Sequence, residues 1–176
     1  MLDNRSMPPG RIIPELVYAD VGAAVEWLCD VFGFSERLRI GNHRSQLCWG
    51  GESIIVVGLT VSEGGDSRGV TEFRPLQPGQ VSHSVMVRVE NVDWHYEHTQ
   101  GRGARILNPP ETYPFGERQY TVEDLGGHRW TFTQSVADVS PEEWGGKLAS
   151  PRERESHELA AHRAYSRRAA LALAGG

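Results

Sequence analysis

The sequence predicts an α+β fold made of two tandem β-α-β-β-β modules that form a curved mixed sheet around a cup. A strand, a helix and three strands follow in the same order in residues 11–58 and again in residues 81–135. Each module ends in a hairpin with a double glycine at its turn, at residues 50–51 and 126–127. The strands alternate apolar and polar residues, as half-buried strands do. Two such modules must pair to bury their apolar faces.

The second hairpin carries the clearest pattern. Tyr120 and Val122 alternate with polar residues in one strand, and Trp130 and Phe132 do so in the next. Residues 124–127 supply the turn, because glycine accepts the backbone angles that short hairpin loops need. One face of this hairpin is apolar and is expected to pack on a helix. The polar residues of the other face are Glu117, Gln119, Thr121, Arg129, Thr131 and Thr133.

The remaining elements follow from periodicity and from start and stop signals. In the first module we predict a strand, a helix and three strands at residues 12–18, 20–32, 34–40, 46–49 and 52–57. Asp20 is a good N-cap for the helix, and Gly33 ends it. In the second module we predict a strand, a helix and a strand at residues 83–89, 91–100 and 104–107. Asn91 caps this helix, and the Asn-Pro-Pro sequence at residues 108–110 is expected to break the strand before it.

Three segments lie outside the modules. Residues 1–10 are expected to be a flexible tail. The linker at residues 59–80 is rich in Gly, Ser and Pro and is long for a connection, so it is either a crossover or a functional flap. Residues 136–176 form a C-terminal extension with helix starts at Ser140 and Ser150. Its last helix has a narrow apolar stripe and is expected to dock on the body or on a second subunit.

Composition restricts the classes of function. The chain has 176 residues, 39% of them hydrophobic, which suffices for one core or two small fused modules. It contains neither an apolar run that would span a bilayer nor a leader sequence, so we expect a cytoplasmic protein without a membrane partner. Its net charge of −5 argues against a nucleic acid partner. Cys29 and Cys48 are expected to be free thiols.

The repeat, the Asp-x-x-Gly-His-x-Trp motif at residues 124–130 and the Phe-Gly-Glu-Arg sequence at residues 115–118 resemble the vicinal oxygen chelate superfamily. That superfamily includes glyoxalase I, extradiol dioxygenases and bleomycin-resistance proteins. The resemblance covers residues 11–135. It implies a fold of two modules that form one cup, either within a chain or swapped between two chains, and a homodimer is expected. It implies no single activity, because one fold serves different chemistries.

The resemblance also places the metal ligands of the metal-using members. Each module there gives one ligand from its first strand and one from its last. The matching positions are His83 and Thr131 in the second module, and one of residues 12–14 and Ile55 in the first. Only His83 is a good ligand, and a catalytic ion usually needs two or three. We therefore expect no metal at this position and no cofactor.

His83 and Glu117 are the candidate catalytic residues. One alternative is a displaced metal site built from His83, Glu117 and His43. Another is a glyoxalase-like lyase or isomerase, or a dioxygenase-related enzyme, with His83 or Glu117 as the general base. A carboxylate or imidazole in a dry cup can be tuned towards neutral pH, as that role requires.

A metal-free small-molecule binding protein is the leading functional hypothesis. Such a protein, similar to the bleomycin-resistance members, would sequester or carry a small ligand in the cup. Glu117 would pair with cationic groups, while Trp49 and the loop with Tyr113 and Phe115 would cover apolar parts. A regulatory module that works through its C-terminal helix is the third hypothesis. The predicted ligand-binding residues are Trp49, Ile55, His83, Tyr113, Phe115, Glu117, Gln119, Thr121, Arg129 and Thr131.

Overall fold

A computed structural model describes residues 5–59 and 81–148. Its contacts divide the chain into two units, Met1–Ala137 and Asp138–Gly176. The first module contains β1 (Glu15–Tyr18), α1 (Val21–Trp27), a wider helical turn (Leu28–Phe32), β2 (Ser35–Ile40), β3 (Arg44–Trp49) and β4 (Glu52–Gly58). The second contains β5 (Ser84–Arg88), α2 (Val92–Gly101), β6 (Arg105–Thr112), β7 (Glu117–Glu123) and β8 (Arg129–Ser135). In the second unit, Pro141–Trp144 forms a short 3₁₀ helix. The predicted helix after Ser150 and most of the predicted linker lie outside the described residues.

Each module forms a four-stranded mixed sheet. The strand orders are β1-β4-β3-β2 in the first sheet and β5-β8-β7-β6 in the second. β1 runs parallel to β4 and β5 runs parallel to β8, whereas the other pairs are antiparallel. The predicted α+β fold of two β-α-β-β-β modules is confirmed. No helix among the described residues is long and apolar enough to cross a membrane.

The predicted end of β6 at residues 108–110 was wrong, because the strand continues to Thr112. β6 lies at the edge of its sheet, so a proline there can point its nitrogen away from the neighbouring strand. The pairing with β7 shifts register on both sides of Asn108, which accommodates the two prolines.

The helix-bearing faces of the two sheets share one hydrophobic core. The ring of Phe32, from the first module, lies 5.2 Å from Trp130 and 5.0 Å from Phe132 of the second. Trp49 on β3 lies 6.4 Å from Phe132 on β8. β3 and β8 belong to different sheets and are not neighbouring strands. Their side chains meet because the helix-bearing faces of the two sheets are turned towards each other. The opposite, free faces of the two sheets therefore point away from the core on different sides.

The Asp-x-x-Gly-His-x-Trp motif joins the two modules. The buried carboxyl group of Asp124 accepts hydrogen bonds from Tyr18 Oη (2.6 Å) and from Trp130 Nε1 (2.9 Å). It also accepts from the backbone N–H groups of Gly126 and His128, both at 2.9 Å. Burial and the Asp124 carboxyl group hold the pKa of Tyr18 well above its usual value. One side chain thus holds the β7–β8 turn and fixes the end of β1 to it.

His95 on α2 is buried in the shared core. Its Nε2 donates to the backbone oxygen of Phe32 at 3.2 Å, since a carbonyl can only accept. Its Nδ1 lies within hydrogen-bond distance of Tyr120 Oη, at 2.6 Å. Burial lowers the pKa of His95.

Acid is expected to destabilise the fold through His95. Its pKa is lower in the folded chain than in the unfolded chain, so the unfolded state binds more protons once the pH falls below about 6.5. Above that pH, the contribution of His95 to the free energy of unfolding is fully present. As the pH falls below it, the free energy of unfolding decreases by up to about 1.4 kcal/mol per pH unit. Urea titrations from pH 7.5 to 5 measure this loss. The variant His95→Gln does not titrate, so its profile should be flatter; parallel profiles would contradict the assignment.

Candidate functional site

A group of polar side chains covers the free face of the second sheet, and we call it the polar face. The pairing of β7 with β8 sets Thr121 beside Thr131 and Gln119 beside Thr133. β5 adds the exposed Met86 next to Thr131 and Arg88 next to Thr133. Alternation along the strands predicted this arrangement. The predicted residues that the structure brings together here are Glu117, Gln119, Thr121, Arg129 and Thr131.

Glu117 is the most highly organised residue of the polar face. Its Oε2 accepts hydrogen bonds from Thr133 Oγ1 at 2.6 Å and from Gln119 Nε2 at 2.8 Å. These two bonds, and more weakly the charge of Arg88, lower the pKa of Glu117. The side chain is therefore a charged, fixed acceptor at neutral pH. No described residue donates a hydrogen bond to its Oε1.

An aromatic pair lies beside Glu117. The rings of Tyr113 and Phe115 are stacked, with centroids 5.2 Å apart and an interplanar angle of 15°. The N–H of Tyr113 donates to the carbonyl oxygen of Glu117 at 2.8 Å, so the pair sits where β7 begins. Both rings are half-buried. The predicted loop is thus a tight turn that places two stacked aromatic rings where β7 begins.

Ile55 lies apart from this group. It is buried on the free face of the first sheet, paired with Glu15 and Gln46. The chain before β1 lies over that face: the backbone oxygen of Ser6 accepts from Gln46 Nε2 at 2.9 Å. Because the free faces of the two sheets point in different directions, one chain does not set Ile55 opposite Glu117. The sequence predicted that both would line one cup, formed within one chain or between two.

Trp49 lies on the helix-bearing side of its sheet. Its ring is 5.3 Å from Phe34 and 5.8 Å from His95, and it is half-buried. It lines a cavity between the modules rather than the polar face. The sequence identified Trp49 as an aromatic wall but gave no signal of which side of the sheet it would occupy relative to Glu117.

His83 comes just before β5 and is exposed, with its ring 6.4 Å from that of His128. Ser84, rather than His83, pairs with Arg129 on the polar face. Of the other positions matched to metal ligands, Thr131 and Ile55 offer no strong ligand. Within the described residues no three His, Cys, Asp or Glu side chains converge, so His83, Glu117 and His43 do not assemble a displaced site. The residues present do not fit the metal of the metal-using members.

Known proteins resemble this chain in sequence and in fold. The family model of the Glyoxalase/Bleomycin resistance protein/Dioxygenase superfamily matches residues 12–132. The crystal structure of TioX from Micromonospora sp. ML1 is 34% identical, covers 72% of this chain and 99% of its own, and has a TM-score of 0.57. The protein Mb0911c of Mycobacterium bovis is 24% identical over 140 residues, which are 78% of this chain and 91% of that protein.

A more distant structure shows the same fold. A glyoxalase/bleomycin resistance protein/dioxygenase from Nocardioides has a TM-score of 0.60 at 22% identity, over 81% of this chain and 91% of its own. The family model spans both modules, from β1 to β8. The chain therefore belongs to the glyoxalase/bleomycin resistance protein/dioxygenase superfamily.

Proposed function

We propose that the protein is a metal-free small-molecule binding protein that sequesters or carries a ligand with a positively charged group on its polar face. The observation that supports this most is the geometry of Glu117. Two hydrogen bonds fix its Oε2 and lower its pKa, while no described residue donates a hydrogen bond to its Oε1. A cationic N–H group bound there would form a charge-assisted hydrogen bond, which is stronger than a neutral one.

The surroundings of Glu117 suit a ligand better than they suit proton transfer. The stacked Tyr113 and Phe115 offer an apolar surface at the start of β7, and Met86 offers another on β5. A few polar groups with aromatic neighbours are typical of ligand sites. A general base works best with a pKa near neutral pH, whereas the pKa of Glu117 is lowered. This favours binding over a lyase or isomerase that uses Glu117 as its base.

A second copy of the chain is proposed to complete the site. Among the described residues of the polar face, Met86 is 59% exposed. A homodimer in which the first sheet of one chain covers the second sheet of its partner would enclose a ligand between two chains. Closed two-fold dimers are the commonest oligomers of soluble proteins. We place this dimer in the cytoplasm, where the free thiols of Cys29 and Cys48 remain reduced.

Replacing Glu117 with glutamine is expected to weaken binding of cationic ligands about 10-fold to 100-fold, since it removes the charge of a charge-assisted bond. A thermal-shift screen of primary amines, amidines and their uncharged analogues would identify ligands of the wild type. Isothermal titration calorimetry would then give the dissociation constants for wild type and Glu117→Gln.

Glu111→Gln is the matched control. Glu111 is an exposed carboxylate on β6 that pairs with Gln119, and it makes no hydrogen bond with a described side chain. Its replacement removes the same charge from the same sheet and should change the affinity little. Equal affinity of Glu117→Gln and wild type, or an equal loss in both variants, would contradict the proposal.

A further inference from the structure

A cavity of about 990 Å³ lies beside β5, the edge strand of the second sheet. It is continuous with the polar face, because Met86 and Arg88 of that face belong to its lining. Ser135 also lines it, and Ser135 pairs with Glu117 across β8 and β7. The carboxylate that we propose as a cation site therefore lies next to a cavity of the size that small-molecule sites have.

Arg88 brings a positive charge to the same face. The strand pairings set Arg88 and Gln119 on either side of Thr133, which donates a hydrogen bond to Glu117. Arg88 is exposed and forms no ion pair with a described residue. Its charge is nevertheless close enough to contribute to the lowered pKa of Glu117. Two opposite charges thus lie near each other without direct contact.

This pair of charges favours a ligand that carries both signs. A ligand with only a positive charge would be attracted by Glu117 and repelled by Arg88, and a ligand with only a negative charge would meet the reverse. The guanidinium group of an arginine binds a carboxylate through two parallel hydrogen bonds. The cavity lining adds the carboxylates of Glu52 and Glu90, so it also contains both signs of charge. A zwitterion would satisfy Glu117 and Arg88 together.

The cavity also offers room for an apolar group. Aromatic rings of Phe34, Trp49 and Trp94 line it. Ile12 is 86% exposed, Trp94 62% and Met86 59%, and all three belong to this lining. Large apolar side chains that remain exposed around one cavity are typical of a ligand site. The ligand is therefore expected to have an apolar part as well as its charges.

We propose that the ligand of the polar face is a small zwitterion with an aromatic group, of the class of the aromatic amino acids. Its ammonium group binds Oε1 of Glu117, and its carboxylate binds the guanidinium group of Arg88. Its aromatic group enters the cavity beside Trp49 and Trp94. This inference rests on the proposed function, to which it adds a second charged group and an apolar part of the ligand.

The test uses the full chain and two ligands that differ in one group. Phenylalanine and 2-phenylethylamine share an ammonium group and an aromatic ring, but only phenylalanine has a carboxylate. We expect the wild type to bind phenylalanine about 10-fold more tightly. Arg88→Gln should weaken the binding of phenylalanine about 10-fold. It should leave the binding of 2-phenylethylamine unchanged or slightly tighter, because a repulsion is lost. Calorimetry or NMR titration gives the four Kd values.

Arg105→Gln is the matched control. Arg105 lies on β6 of the same sheet and already forms an ion pair with Glu123. Its replacement should leave the ratio of the two Kd values as in the wild type. Trp94→Ala should weaken the binding of both ligands by a similar factor, up to about 10-fold, because it removes an aromatic wall and no charge. Thermal melting checks that all variants fold.

Several results would overturn the inference. Equal affinity of the wild type for the two ligands would do so, as would binding of neither, or an equal effect of Arg88→Gln on both. Unchanged affinities in Trp94→Ala would exclude the aromatic group from the cavity. Glu117→Gln separates this inference from the proposed function, since it should weaken the binding of both ligands. If it weakens the binding of 2-phenylethylamine while Arg88→Gln affects both ligands alike, the cation site stands and the zwitterion does not.

Discussion

Replacing Asp124 with alanine is expected to lower the free energy of unfolding by about 3 to 5 kcal/mol. Asp124 accepts four hydrogen bonds, two from buried side chains of Tyr18 and Trp130 and two from the backbone of its own turn. Alanine leaves these donors without a partner inside the core, and a buried unpaired polar group costs more than its hydrogen bond contributes. Urea denaturation monitored by circular dichroism would measure the loss.

Two further variants separate the contributions. Tyr18→Phe removes only the bond between the modules and should cost about 1 kcal/mol. Asp124→Asn retains the shape and one oxygen, so its loss should fall between those of Tyr18→Phe and Asp124→Ala. A loss below about 1 kcal/mol for Asp124→Ala would show that this carboxyl group does not hold the modules together.

Gly126→Ala is expected to destabilise the fold by about 1 to 3 kcal/mol through a direct clash. A Cβ atom on Gly126 would lie 2.6 Å from Cδ1 and 2.7 Å from Cε1 of Tyr18. The tyrosine ring cannot yield easily, because it is 2% exposed and its hydroxyl group is bound to Asp124. Either the turn or the end of β1 must move. Thermal unfolding of the two proteins would measure the effect.

Gly101→Ala serves as the control, since a Cβ atom there meets no other atom within 4 Å. At the end of α2 this change should be neutral or stabilising by a few tenths of a kcal/mol. Gly126→Ala should cost much less in a Tyr18→Ala background, because neighbouring changes couple. If the cost is the same in both backgrounds, the close contact between turn and ring is not its source.

The polar face could be predicted from the sequence because strand alternation is local. Tyr120, Val122, Trp130 and Phe132 identified the buried side of the second hairpin, and Glu117 and Gln119 followed on the other. The repeat likewise predicted both sheets and both helices. These predictions need only the period of the pattern and the turn residues.

The relation between the two modules could not be predicted in this way. Alternation assigns Trp49 and Ile55 to the two faces of one sheet, but it does not say which face meets the other module. That depends on long-range contacts such as Trp49 with Phe132, and Tyr18 with Asp124. The burial of His95 was not predicted either. α2 has too few apolar residues to show which side of the helix is buried.

Subunit mixing tests most directly whether a ligand is held between the first sheet of one chain and the second sheet of another. Glu117→Gln alters the second sheet and Ile55→Gln alters the first, and we expect each variant alone to lose binding of the amine selected by the thermal-shift screen. Thermal melting checks that both variants fold.

Co-expression of the two variants with different affinity tags gives mixed dimers that can be isolated. A site between chains then combines the intact first sheet of one variant with the intact second sheet of the other. Calorimetry should find binding restored at about half of the sites in the mixed dimer, with the affinity of the wild type. No restoration in the isolated mixed dimer would contradict a site shared between two chains.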